Sequence, residues 1–168
     1  MPALTIAIGG VSNAGKTHLA KRLLTHFGTQ HAVAVCQDDF ARPVRQIPEI
    51  AGRTDWEHPD SIDHQALRQK VIDLRNKKEI VIVEGLMIYH DPATVELFDK
   101  VLFVEIDFPT FWKRRTADTR WGYEPDWYVE HVWKSYLAYG LPPENVKPLY
   151  INGSNPIRLK QIIEFIEK

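Results

Sequence analysis

The stretch GGVSNAGKTHLA, Gly9 to Ala20, constrains this chain more than any other. Within it, Gly10-x-x-x-x-Gly15-Lys16-Thr17 fits the pattern of a loop that cradles phosphate groups. Ile6, Ala7 and Ile8 read as a strand before the loop, and Leu19, Leu23, Leu24 and Phe27 recur at helical spacing after it. An ordinary glycine-rich turn is the alternative. A chance match to the pattern is expected about once in a hundred chains of this length.

A strand, a glycine loop and a helix make one unit of an open α/β sheet, and the rest of the chain continues the alternation. Apolar runs of strand length fall at Leu4–Ile8, Ala32–Cys36, Ile80–Val83, Val101–Ile106 and, less apolar, Pro148–Ile151. Helical patterns lie between most of them: Leu67, Val71 and Leu74 share a face, as do Val129, Val132, Trp133, Tyr136 and Leu137. A last helix is expected with Asn155 as its N-cap and Pro156 at its first position, burying Leu159, Ile162, Ile163 and Ile166. Strands apolar on both faces, alternating with helices, indicate a parallel sheet covered on both sides. The 168 residues, 44% hydrophobic and 26% charged, suit one domain spanning 1–168. Two segments fit no regular element, Asp38 to Asp60 and the basic, aromatic Lys113 to Asp126. Long loops in compact domains are usually functional or disordered, and the aromatics here argue against disorder.

Charge and composition exclude several roles. With 21 basic and 22 acidic residues, no global field favours nucleic acid or a membrane surface. The single cysteine, Cys36, excludes an internal disulfide and reads as a buried structural thiol. The N-terminus lacks a basic leader pattern and the apolar runs are too short to span a bilayer, so a soluble cytoplasmic protein is expected. The histidines, His18, His58, His64 and His131 among them, show no metal-ligand spacing and read as surface or packing residues.

The chemistry lies in three clusters. In a phosphate loop, successive N–H groups surround the β- and γ-phosphates at the positive end of a helix, Lys16 neutralises those oxygens, and Thr17 offers a hydroxyl to Mg²⁺. Glu84, ending the run Ile80–Val83, supplies the acidic contact such an ion needs, or is a strand-end carboxylate that merely faces water. Gln37-Asp38-Asp39-Phe40 ends the second run. Transfer to an alcohol needs a carboxylate to position the hydroxyl and accept its proton, so one aspartate serves chemistry and the other a turn, unless both only cap. Lys113, Arg114, Arg115 and Arg120, with Trp112 and Trp121, form a lid over a triphosphate, a solvated helix face or a nucleic-acid patch; near-neutral charge weakens the last.

In order along most of its length, through GGVSNAGKTHLAKRL, QDDF, DWEHPDSID, IVIVEG, RRTADTRWG and HVWKSYL, the chain resembles the nicotinamide riboside kinases, within the broader P-loop uridine kinase-like nucleoside kinases. VSNAGK and HVWKSYL lean toward the nicotinamide riboside branch. The resemblance implies a P-loop fold with five parallel strands in the order 2-3-1-4-5, and ATP- and Mg²⁺-dependent phosphorylation of a nucleoside 5′-hydroxyl. It implies a small-molecule partner, a monomer or weak homodimer, a nucleoside segment at about 38–63 and a lid at about 113–126. By it, Gly10, Val11, Ser12, Asn13, Ala14, Gly15, Lys16, Thr17 and His18 hold the nucleotide, and Thr17 and Glu84 the metal. Asp38 matches the general base, and Arg115 and Arg120 match lid arginines. Phe40, Trp56 and either Trp121 or Tyr123 fall where aromatics enclose the base. Trp56-Glu57 stands where animal members place a tyrosine and the aspartate that holds the sugar diol. The chain also lacks an insertion before the third strand. Two other classes compete, a uridine–cytidine or other metabolite kinase and a P-loop regulatory protein without turnover. A regulatory GTPase would need Asn-Lys-x-Asp near the fourth strand; the nearest stretch, Asn76-Lys77-Lys78-Glu79, precedes the third.

Overall fold

The computed structural model describes residues 2–168. Five strands form the main sheet and are numbered by themselves: β1 (Leu4–Gly10), β2 (Ala32–Cys36), β3 (Ile80–Glu84), β4 (Lys100–Glu105) and β5 (Leu149–Asn152). All pair parallel, in the order β2-β3-β1-β4-β5, which is the 2-3-1-4-5 order expected. Ile6, Ala7 and Ile8, Val81 to Val83, and Leu102 to Val104 are buried on both faces, as their unbroken apolar runs require.

Helices α1 (Lys16–Phe27), α2 (His64–Arg75), the short α3 (Pro92–Val95), α4 (Phe108–Ala117), α5 (Asp126–Tyr139) and α6 (Leu159–Ile166) cover the sheet. Asp63 and Asp107 cap α2 and α4, their carboxylates accepting from the N–H of Ala66 and of Thr110 at 2.9 Å. Phe111 of α4 and Trp133 of α5 meet with ring centroids 5.2 Å apart, which locks the two helices together. No helix among the described residues is long and apolar enough to cross a membrane.

Four expectations are corrected. Helix α6 begins at Leu159, because Arg22 donates to the carbonyl of Ile157 at 2.7 Å and holds the Asn155–Pro156 stretch outside the helix. Leu137 is 49% exposed, since the covered face of α5 runs through Tyr128, Val129, Val132 and Tyr136. Residues 113–117 are the last turns of α4, not loop, because the Asp107 cap and buried Phe111 carry the helix on to Ala117. Cys36 is half-buried rather than buried. Burial and the neighbouring Glu84 push its thiol up to about 12, so it stays protonated.

Parallel strands all end on one edge, and that edge collects the candidate chemistry. Ile8 and Cys36 both stand in register with Glu84, so the phosphate loop, the turn after β2 and the end of β3 meet there.

Candidate active site

The loop after β1 takes its shape from its glycines. Gly10 has φ 142°, and a Cβ there would run into the carbonyl oxygen of Val104. Gly15, at φ 107°, turns the chain into α1, and Asn13 holds φ 64°. Lys16, buried at the first position of α1, donates from Nζ to the carbonyl of Val11 at 2.8 Å. Burial lowers its pKa, opposed by the charges of Glu84 and Asp38. Lys16 makes no ion pair among the described residues, so an anion on the loop would offset the cost of burying its ammonium.

Thr17 donates from Oγ1 to Glu84 Oε1 at 2.8 Å. A hydroxyl and a carboxylate side by side at the mouth of the loop fit magnesium, which keeps waters and takes few protein oxygens. His18 points outward from α1 and is exposed, beside Lys21 and Arg22.

The edge of the sheet opens into a cavity of about 450 Å³. Ser12 and Asp38 line it together with Trp56, Glu57, Arg115, Arg120 and Trp121. Of the aromatics expected around the base, Trp56 and Trp121 line the cavity. Phe40 instead packs against the core, and Tyr123 is 85% exposed, so the structure does not bring these two to the cavity wall. The turn Gln37–Phe40 aims Asp38 and not Asp39 at the cavity. Asp38 is exposed at the cavity mouth, yet partial desolvation there raises its pKa against the pull of Lys16, which makes it a stronger base than a free carboxylate.

Glu57 is buried at 8% exposure, and burial lifts its pKa to about 7 despite the nearby Arg115. Its backbone N–H donates to Asp55 Oδ1 at 3.1 Å, and the His131 ring donates to the same oxygen at 2.8 Å. His131, expected only on the surface or in packing, is thus a tie between α5 and the Trp56–Glu57 wall. Because the folded state binds a proton on Glu57 more tightly than the unfolded chain does, its contribution to stability is full below the unfolded pKa and is lost as pH rises through about 7. Thermal denaturation from pH 5 to 8 is expected to show wild-type Tm falling relative to Glu57→Gln; parallel curves would remove the buried-carboxyl assignment.

The basic segment divides its labour. Arg114 donates to the carbonyls of Asn13 and Gly153 at 3.0 and 2.9 Å, bracing the phosphate loop, while Lys113 faces solvent. Arg115 is buried in α4 and donates to both oxygens of Glu124 at 2.8 and 2.9 Å, so it is not part of a free lid. Arg120 is 68% exposed in its side chain and pairs with Asp118 at 2.6 Å; Asp118 also accepts from Asn13 of the loop at 2.9 Å. Either arginine must open a carboxylate pair before it can meet a phosphate. Trp121 stands near both guanidinium carbons, at 5.3 and 5.4 Å.

Sequence reasoning missed Gln37, Arg53, Ser61, Met87, Glu124 and Tyr128, which also line the cavity. Gln37 is fully buried, its Oε1 accepting from the N–H of Met87 at 2.8 Å and its Nε2 left without a partner. Its place in QDDF was the available signal. Tyr128 and Glu124 had none, since each depends on how 118–125 folds back.

No family model matches the chain. Nicotinamide riboside kinase 2 of Mus musculus is 26% identical over 172 aligned residues, covering 89% of this chain and 87% of the relative. The uridine kinase of Oceanobacillus iheyensis is 24% identical, covering 98% of this chain and 94% of the relative. Among solved structures, a possible uridine kinase from Bacillus stearothermophilus superposes with a TM-score of 0.59 at 16% identity, covering 89% of each chain. The fold is that of the P-loop kinases.

Proposed function

We propose that this protein is a nucleoside kinase that transfers the γ-phosphoryl group of ATP to the 5′-hydroxyl of nicotinamide riboside, giving nicotinamide mononucleotide for NAD salvage. The observation that carries this reading is continuity: Ser12 of the phosphate loop and Asp38 line one cavity with Trp56, Glu57 and Trp121. A triphosphate on the loop and a nucleoside in the cavity meet at Asp38.

In this reading the loop N–H groups and Lys16 hold the β- and γ-phosphates. Asp38 orients the 5′-hydroxyl and takes its proton as that oxygen bonds to the γ-phosphorus and the bond to the β-phosphate oxygen breaks, leaving ADP. Thr17 and Glu84 hold magnesium, which when bound neutralises charge on the phosphates. Arg120, exposed and close to the loop through Asp118, is the lid arginine free enough to change partners, and Arg115 serves as a fixed counter-charge in the wall. Glu57 accepts from the ribose diol, and Trp56 and Trp121 face the ring.

The aromatic wall and the acids support a cationic ring. Arg115 and Arg120 are paired with Glu124 and Asp118, which leaves Asp38 and Glu57 in the cavity with one guanidinium that has no carboxylate partner among the described residues, Arg53. Cation–π attraction to the tryptophans adds roughly 0.5–2 kcal/mol, a few-fold to about thirtyfold in affinity. The uridine kinase relative, at nearly the same identity, is the reason to keep uridine or cytidine phosphorylation as a second reading.

Measuring kcat/KM for nicotinamide riboside, uridine, cytidine and 2′-deoxycytidine with ATP and Mg²⁺ separates these readings. Nicotinamide riboside is expected to lead. The deoxy sugar is expected to lose about tenfold or more against cytidine, because it leaves a buried carboxylate without its partner. Uridine or cytidine ahead by about tenfold moves the protein to the second reading, and equal use of the deoxy sugar removes Glu57 from the site.

A further inference from the structure

Three guanidinium groups line the cavity, and two are matched with carboxylates, Arg115 with Glu124 and Arg120 with Asp118. Arg53 has no carboxylate partner among the described residues. Its guanidinium carbon lies 5.0 Å from the ring centroid of Tyr128, which lines the same cavity and whose buried hydroxyl has no hydrogen-bond partner. Solvent alone would explain a free arginine on an exposed loop, but Arg53 is half-buried and held in a hairpin. It sits on a hairpin, Glu49–Ile50 against Arg53–Thr54, turned by Ala51 at φ 47° and Gly52 at φ 75°. Asp55 closes the base of that hairpin, its N–H donating to the carbonyl of Pro48 at 2.8 Å and its carboxylate accepting from His131.

Trp56 and Glu57 follow Arg53 by three and four residues, so the residues assigned above to the ring and the diol share one short segment with the free cation. We propose that Arg53 is a specificity-determining residue that reads an oxygen substituent on the ring of the nucleoside and favours a carboxylate over a carboxamide. The inference rests on the nucleoside kinase reading above and adds a second acceptor beside nicotinamide riboside, the pyridinium riboside whose ring bears a carboxylate in place of the carboxamide. A carboxylate offers two acceptors to the planar fork of a guanidinium. A carboxamide offers one oxygen and turns its NH₂, a donor, toward a group that only donates. The positive ring is common to both, so the acidic side of the cavity does not distinguish them.

The test is kcat/KM for nicotinamide riboside and for its 3-carboxylate analogue, in wild type, Arg53→Met and Arg53→Lys. Wild type is expected to favour the carboxylate by about tenfold, the scale of one charge-assisted hydrogen bond. Arg53→Met, which keeps the apolar stem against Tyr128, is expected to lower the carboxylate-to-amide ratio by about tenfold, and Arg53→Lys by less. If Arg53→Met does not fold, the ratio in Arg53→Lys decides, because the fork is lost there and the charge is not. Turnover of both ribosides with the same ratio in all three proteins overturns the Arg53 assignment alone, as does a loss confined to the KM for ATP. Turnover of neither overturns the nicotinamide riboside reading and this inference with it.

Discussion

Asp38→Asn is expected to lower kcat by about 10² to 10⁴-fold, with little change in the KM for the nucleoside. An asparagine keeps the hydrogen-bonding shape of the side chain but cannot accept the proton that leaves the 5′-hydroxyl. The loss therefore falls on the transition state and not on ground-state binding. Two structural facts select Asp38 over its neighbour: it lines the cavity with Ser12 of the phosphate loop, and partial desolvation there raises its pKa while Lys16 opposes the shift. Both aspartates are exposed, but Asp39 is absent from the cavity wall. Steady-state kinetics of Asp38→Asn and Asp39→Asn check this directly; a crippled Asp39→Asn beside an active Asp38→Asn would reverse the pair.

Lys16→Ala is expected to reduce kcat/KM by about 10³-fold, the scale of losing one preorganised donor to developing charge. The fold should survive. Loop geometry is set by Gly10, Asn13 and Gly15, and among the described residues the only side-chain hydrogen bond lost is the one to the Val11 carbonyl. Because burial lowers the pKa of Lys16, removing the ammonium takes away a desolvation cost, and Tm is expected to stay level or rise. Kinetics paired with thermal denaturation separate the two effects. A variant with normal Tm and wild-type kinase activity would contradict the role of the loop, and a large fall in Tm would make Lys16 a structural residue.

Much of this architecture was legible because it depends on local pattern. Strands buried on both faces must be apolar throughout, so Ile6 to Ile8, Val81 to Val83 and Leu102 to Val104 announced a covered parallel sheet. In such a sheet all strands end on one edge, so Lys16, Asp38 and Glu84 could be placed together without knowing a single contact. Partner choice was not legible. Arg115 and Arg120 read as free lid cations because nothing local says that residues 118–125 return Glu124 to one and Asp118 to the other. His131 lies 76 residues from Asp55, and only the packing of α5 against the 48–57 segment joins them. The capping signal of Asn155 and Pro156 was sound as a local preference, but it says nothing of tertiary ties such as the one from Arg22 to the Ile157 carbonyl just ahead of α6. Phe40 and Tyr123 show the same limit: an aromatic near a motif says nothing about whether it turns to the core, the cavity or solvent.

The central claim is that Asp38 and the phosphate loop together move a phosphoryl group onto a nucleoside 5′-oxygen. Phosphorus NMR of the protein incubated with ATP, Mg²⁺ and nicotinamide riboside tests it most directly, because it sees the bond that forms. The expected result is ADP and a 5′-phosphomonoester in equal amounts, and no ester when the 5′-deoxy riboside is supplied. ADP with inorganic phosphate and no phosphoester, whichever nucleoside is present, would contradict the account.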